Sequence, residues 1–386
     1  MSENIILKGI TWNHSRGLVP MVATAQRFSE LNPSVEITWE KRSLQQFADL
    51  SIQQLAERYD LLVIDHPWAG FAAKTGAILP FDNYLSAEYL ADQQKNTVGH
   101  SYESYNYNGH QWALAIDAAT PVAASRPDLL EQHGIALPKT YNELLTLAKK
   151  GLVAFPAIPI DSLMTFYTFC CSLGEDPCQQ DDTIISKATG IKALQLYREL
   201  ALNIDPACFN RNPIQTYEAM TKGDDIAYCP FAYGYSNYSR DGYARKLLHF
   251  HDMISLGGKT NLRSSLGGTG LAVSSTCKHV EVAMQYAQFV ASPQCQAGLY
   301  TDNGGQPGHL TAWTATETNN KTNNYFVNTL PALQRAYLRP RYFGHMFFQD
   351  HAGDIVRNYL MNGGNEEQVL AEMDSLYRES KQKIQA

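Results

Sequence analysis

Residues 5–64 alternate between two hydrophobic periods so regularly that they fix the fold class before anything else is considered. Ile5 to Ile10 is a short apolar run, after which Leu18, Met21, Val22, Ala25 and Phe28 recur at helical spacing until Asn32-Pro33 stops the helix. Val35, Ile37 and Trp39 alternate as strand residues do, Leu44 to Ala56 reads as a second helix, and Leu61-Leu62-Val63-Ile64 reads as a buried strand. A βαβαβ order predicts right-handed crossovers and a parallel sheet. In such sheets ligands gather outside the carboxyl ends of the strands, where loops converge and helix N-termini point. The segments expected there are Thr11-Trp12-Asn13-His14-Ser15-Arg16, Glu40-Lys41-Arg42 and Asp65-His66-Pro67-Trp68, all rich in donors, acceptors and aromatic planes.

The rest of the chain extends this α/β pattern. Gly109 to Asp117 reads as an extended segment, and Thr140 with Glu143 three residues later reads as a capping box opening a helix. The helix from Ile191 to Ala201 puts Ile191, Leu194, Tyr197 and Ala201 on one face. Leu266 to Val273 is a loop entering a strand, Val280 to Val290 forms an amphipathic helix, and Glu366 to Lys383 a polar helix lying on a surface.

With 386 residues the chain exceeds one ordinary core, which predicts two domains. A net charge of −7 argues against nucleic acid, whose binders gather Lys and Arg on one face. No apolar run reaches the ~18 residues of a membrane span. Met1 to Asn4 shows no basic n-region, and no apolar h-region or cleavage site precedes the first strand. The seven cysteines, Cys170, Cys171, Cys178, Cys208, Cys229, Cys277 and Cys295, are odd in number and lack a CxxC pattern, so buried free thiols are expected in place of a disulfide framework.

An ordered set of segments resembles one family: Phe28 to Ile37; Tyr59-Asp60-Leu61-Leu62-Val63; Gly76 to Asp82; the Gly109 to Asp117 crossover; Leu129 through Gly134 to Tyr141; Glu218-Ala219-Met220; and Gly267-Gly268 leading through Ala283-Met284 and Phe289 to Ser292 to Gly305-Gln306-Pro307. On these residues the chain is similar to the family 1 extracellular solute-binding proteins of carbohydrate-type ABC transporters, maltose-binding-protein-like. The resemblance covers nearly the whole chain. It implies an α/β, two-lobed periplasmic-binding-protein-like fold of type II, each lobe a sheet flanked by helices, the two joined by a hinge that closes on a ligand. Residues 1–116 with 262–318 would form the N-terminal lobe, and residues 117–261 with 319–386 the C-terminal lobe. The implied function is capture of a small polar solute, such as a sugar or sugar acid, for the membrane permease of an importer, by a monomer without cofactor or catalytic step. A periplasmic or extracellular location follows from the resemblance. The alternative is a leaderless cytoplasmic sensor or carrier, or an enzyme acting on a sugar-like solute.

A sugar-like solute offers hydroxyls to planar polar groups and C–H faces to aromatic rings. Trp12, Asn13, His14, Asp65, His66 and Trp68 supply both. Their ordinary structural explanation is that the two tryptophans pack between helices while the histidines cap or bridge backbone. Arg16 and Arg42 would grip a carboxylate if the solute is acidic, and otherwise are solvated surface. In the second lobe the resemblance matches Asp224 to Tyr235 to a strand that delivers aromatic rings, making Phe231, Tyr233 and Tyr235 stacking candidates, although an alternating stripe of this sort is as often core. Asp117, Gly268 and Thr269 would add hydrogen bonds, and Gln306 is a weaker candidate.

Enzyme signatures are absent: no GxSxG elbow, Walker loop, HExxH helix or dinucleotide fingerprint occurs. Asp65 and His66 are adjacent, and on an extended segment they would point oppositely, against an acid/base pair. His249-Phe250-His251-Asp252 reads as a solvated face before it reads as a metal site.

Overall fold

The computed structural model describes residues 4–43 and 51–383. Its strands are β1 (Ile5–Trp12), β2 (Val35–Arg42), β3 (Leu61–Ile64), β4 (Asn106–Tyr107), β5 (His110–Gln111), β6 (Leu114–Ala119), β7 (Pro121–Ser125), β8 (Tyr228–Tyr233), β9 (His249–His251) and β10 (Gly267–Val273). The chain divides into two compact units, Met1–Ala119 with Gly267–Asn320 and Thr120–Leu266 with Lys321–Ala386.

Unit 1 is built on a five-stranded sheet in the order β2-β1-β3-β10-β6. The opening helix runs Ser15–Leu31, and the Asn32 amide closes it by donating to Phe28 and Ser29 carbonyls, one residue before Pro33 forbids continuation. β1 then pairs with β2 and β3 in parallel, as the βαβαβ pattern requires. All four residues of β3 are fully buried, the signature of a central strand covered on both faces. Residues 44–50 of the expected second helix lie outside the described residues, and Ile52–Ala56 is helical. One expectation needs correction: the sheet is mixed, because β10 lies antiparallel between β3 and β6. The reason is topological. The chain leaves this unit at Ala119 and re-enters at its register partner Gly267, on the same edge, so β10 has to run back down the sheet.

Unit 2 holds a three-stranded antiparallel sheet, β8-β7-β9, against which the segment from Val153 runs parallel to Tyr228. Its helices follow local chemistry. Thr140 and Glu143 form the expected reciprocal capping box of the helix Tyr141–Ala148. The helix Lys187–Ala201 buries Ala193, Leu194, Tyr197, Leu200 and Ala201. The helix Glu366–Gln382 is more than a polar surface helix: Leu370, Met373 and Tyr377 recur at three- and four-residue spacing and are buried. Phe155, Phe169, Tyr197 and Phe231 form the aromatic heart of this unit, with ring centroids 5.2 Å apart for Phe155 and Phe231 and 5.7 Å for Phe169 and Tyr197. Burying each such ring contributes about 1.5–3 kcal/mol. All seven cysteines are free.

Candidate functional site

Four strands of unit 1 run in one direction and β10 runs against them, so the carboxyl ends of β1, β2, β3 and β6 share an edge with the amino end of β10. That edge collects Trp12 and Arg42, which are register partners, the segment from Asp65 after β3, Asp117 of β6, and Gly268 and Thr269 of β10. Residues separated by up to 257 positions in sequence are thus brought to one margin of one sheet.

Each loop reaches this edge for a local reason. His14 is the N-cap of the opening helix, and its Nδ1 accepts from the Arg16 amide at 3.0 Å, so the capping role weighed for the histidines is realised here. Asn13 is exposed and donates its amide to the Arg42 carbonyl at 2.7 Å. Trp12 lies flat over Gly17: a Cβ at residue 17 would come within 2.4 Å of the indole, which only glycine tolerates. Gly17→Ala is therefore expected to displace Trp12 and cost about 1–3 kcal/mol through overpacking. A denaturant titration measures the loss, and a shift in near-ultraviolet circular dichroism reports the ring.

The extended run after β3 ends at Asp65, and His66 already belongs to a turn. Asp65 caps a single 3₁₀ turn, His66–Trp68, by accepting from the His66 amide at 2.9 Å, and the turn carries the His66 Nδ1 to 3.3 Å from Asp65 Oδ1. The two side chains are thus neighbours, against the opposed geometry expected of a strand. His66 is buried with its ring edge-on to Tyr105, whose hydroxyl donates to the Ile64 carbonyl at 3.1 Å. Tyr105 is a member of this edge that sequence reading missed, because nothing local marks a tyrosine that bonds the end of a strand 41 residues away. Trp68 is nearly buried and packs edge-on to Phe71 at 5.3 Å.

The two arginines differ from the expectation of solvated side chains. Arg16 is buried and grips Asp117 in the bidentate manner: Nε donates to Oδ2 at 2.8 Å and Nη2 donates to Oδ1. Burial pushes the Asp117 carboxyl above its ordinary value, and the Arg16 guanidinium pulls against that shift. Both groups offered for solute contact are thereby engaged with each other. Arg42 is also buried, with Nη2 directed to the Val63 carbonyl at 3.5 Å, and burial lowers its guanidinium to about 10. Gly268 adopts φ +105 where a Cβ would come within 2.3 Å of the Asp117 carbonyl, so β6 and β10 approach as closely as backbones can. Thr269 Oγ1 is buried without a protein partner, and the Gln306 amide donates to the Ala118 carbonyl at 2.9 Å.

In unit 2, Phe231 belongs to the aromatic core at 1% exposure, which corrects its reading as a stacking residue. Tyr233, two residues on, ends β8; it is partly exposed, and its hydroxyl lies 2.9 Å from Ser265 Oγ. Tyr235 is buried against Tyr217. The helix Pro159–Ser172 starts at the end of the sheet where β8 finishes, and no side chain caps its N-terminus. Its first turn carries Asp161, 6% exposed, with Oδ2 lacking a partner and the carboxyl pushed by burial up to about 8. The only sequence signal for it is an aspartate opening an otherwise apolar helix. Among the described residues no group of His, Cys, Asp or Glu is arranged to hold a metal ion, and no helix is long and apolar enough to cross a membrane.

A family model described as bacterial extracellular solute-binding protein matches residues 23–324. A maltotriose-binding protein of Pyrococcus abyssi is 26% identical over 127 residues, a match covering 33% of this chain and 26% of that protein's length. Among solved structures, a solute-binding protein of an ABC transporter from Agrobacterium radiobacter K84 in complex with ribitol superposes with a TM-score of 0.82 at 18% identity, covering 98% of this chain and 99% of that one. A maltose-bound protein of T. maritima gives 0.84 at 16% identity, covering 97% and 99%. These likenesses fix the fold as that of the two-lobed periplasmic solute-binding proteins.

Proposed function

Because the chain belongs to the bacterial extracellular solute-binding proteins, we propose that it captures one small, neutral, hydroxyl-rich solute for the permease of an ABC importer and releases it chemically unaltered. The observation that carries this reading is the edge of the unit 1 sheet, where the buried Trp12 at the end of β1 and Trp68 in the turn after β3 stand at the same margin as planar polar groups, His14, Asp65 and His66. Hydroxyls pair with the polar groups and C–H faces lie on the rings. Ribitol and maltose, the ligands of two similar structures, are solutes of this class. The Arg16–Asp117 pair, which engages one of the two cations that would grip an acidic solute, supports neutrality. Asn13, Arg42, Thr269 and the backbone of Gly268 are further members of the edge; in unit 2, taken by itself, the partly exposed Tyr233 is a candidate for solute contact.

Trp68→Ala and Asp65→Ala are each expected to weaken solute affinity at least tenfold; Asp65→Ala leaves the melting temperature within a few degrees, whereas Trp68→Ala, which empties a nearly buried position, also lowers stability by about 3–5 kcal/mol. Calorimetric titration with ribitol, maltose and related sugars measures this, since a ligand specific to the native state also raises the melting temperature. Wild-type affinity in both variants would remove the loop after β3 from the site.

The partner in this reading is a membrane permease, the working form a monomer, and the location outside the cytoplasm, as the family description has it. Nucleic acid has no place in it, given the net charge of −7. A second reading, a cytoplasmic carrier or sensor, draws on the seven free cysteines, which suit a reducing compartment. Fractionation of cells expressing the native gene separates the two.

A further inference from the structure

Unit 2 carries a cavity of about 260 Å³ at the end of the sheet where β8 begins, lined by Val153, Asp205, Arg211, Gly223, Asp225 and Ile226 among others. β8 runs from Tyr228 to Tyr233, about 16 Å at about 3.3 Å per residue, so the Asp225–Ile226 wall of this cavity lies at the other end of the strand from Tyr233. At about 30 Å³ per water its volume equals some nine waters, which suits a single small metabolite and falls short of an oligosaccharide.

The charges lining it are unusual in not neutralising one another. Arg211 lines the cavity and makes no ion pair among the described residues; its Nη1 is enclosed by protein and has no acceptor there, and its side chain hydrogen-bonds the Cys208 thiol. Asp205 and Asp225 line the same cavity and neither pairs with it; Asp205 Oδ1 accepts instead from the Ala207 amide at 2.9 Å. One guanidinium and two carboxylates held apart in one concavity complement a molecule that itself carries both signs.

The walls are fixed in advance. Arg126, fully buried, donates to the Met220 and Gly223 carbonyls at 2.6 and 2.8 Å and to Asp224 Oδ1 at 2.8 Å, which pins the segment leading to Asp225. The amides of Ala227 and Tyr228 both donate to the Leu152 carbonyl, and the Ala157 amide donates to that of Arg211, tying the other walls to the same framework. A site whose walls are already ordered spends little conformational entropy on binding.

We infer that this cavity is a second ligand site, for a small zwitterion of the α-amino acid class, with the ligand carboxylate on Arg211 and its ammonium toward Asp205 and Asp225. Calorimetric titration of the full chain with L-alanine and L-lysine, with acetate and methylammonium as singly charged controls, tests it. The expected result is saturable binding of one amino acid per chain and at least tenfold weaker binding of either control. Arg211→Met, which keeps most of the stem, is expected to weaken amino-acid binding at least tenfold, and Asp225→Asn, on the exposed rim, to weaken it as well. Polyol and sugar affinity is expected to be unchanged in both. Absence of amino-acid binding, acetate binding as tightly as L-alanine, or wild-type amino-acid affinity in a folded Arg211→Met or in Asp225→Asn would each overturn the inference.

Discussion

Arg16→Ala is expected to destabilise unit 1 by about 3–5 kcal/mol, the usual consequence of removing one partner from a buried ion pair. The side chains of Arg16 and Asp117 are 5% and 0% exposed, and the pair is bidentate, so alanine would leave the Asp117 carboxylate enclosed with no cation to compensate it. Asp117→Ala is expected to cost a similar amount, by stranding the guanidinium. Replacing both with apolar residues of similar volume, Arg16→Met with Asp117→Leu, is expected to recover much of the loss, because an ion pair taken out of water contributes little net stability. Urea denaturation of the single and double variants measures all three. A loss under 1 kcal/mol in both single variants would show that the pair is solvated and that Arg16 is available to a solute.

The second large effect concerns Asp161, whose carboxyl has one oxygen without a partner and no cation beside it. The ionisable groups that face it are Tyr197 from the helix Lys187–Ala201 and Cys229 from β8, both pushed upward by burial and therefore neutral. With the carboxyl raised from 3.8 to about 8, the folded protein keeps a proton that the unfolded chain has released throughout that window. Unfolding thus releases a proton, and stability falls as pH rises from about 4 to about 8, then levels off. At about 1.36 kcal/mol per pKa unit the full change is on the order of 5 kcal/mol. Asp161→Asn keeps the shape without the titration. The expected result is a melting temperature that falls several degrees more between pH 5 and pH 8 in the wild type than in the variant. Using the difference cancels other titrations, notably that of His251, which burial holds at about 4 and which acts with the opposite slope between pH 4 and 6.5. Parallel profiles would mean that the carboxyl finds a partner in solution.

Both effects illustrate which parts of the molecule could be read from the sequence. The opening βαβαβ unit and the Thr140 capping box were legible because period, caps and breakers act within a few residues. The direction of β10 was not, since it depends on where the chain re-enters the unit, a property of the whole topology. The same limit governs the site. Trp12, Asp65 and Trp68 could be nominated because strand ends are predictable, yet Arg16 finds its partner 101 residues away, and no local pattern announces that it is engaged. Period-two alternation put Phe231 and Tyr233 on one side of β8, but only the packing of Phe155 and Phe169 decides that Phe231 is core. His14 and Asp65 are polar where a helix or turn begins, and capping accounts for that as readily as solute contact does.

The most direct test of the account is calorimetric titration of the purified chain with the hydroxyl-rich solutes proposed for it, followed by chemical analysis of the solute after prolonged incubation. Saturable binding of one molecule per chain, abolished or weakened at least tenfold by Trp68→Ala and followed by quantitative recovery of unchanged solute, is the predicted result. Steady conversion of the solute, or no binding by any neutral sugar or polyol tested, would contradict it.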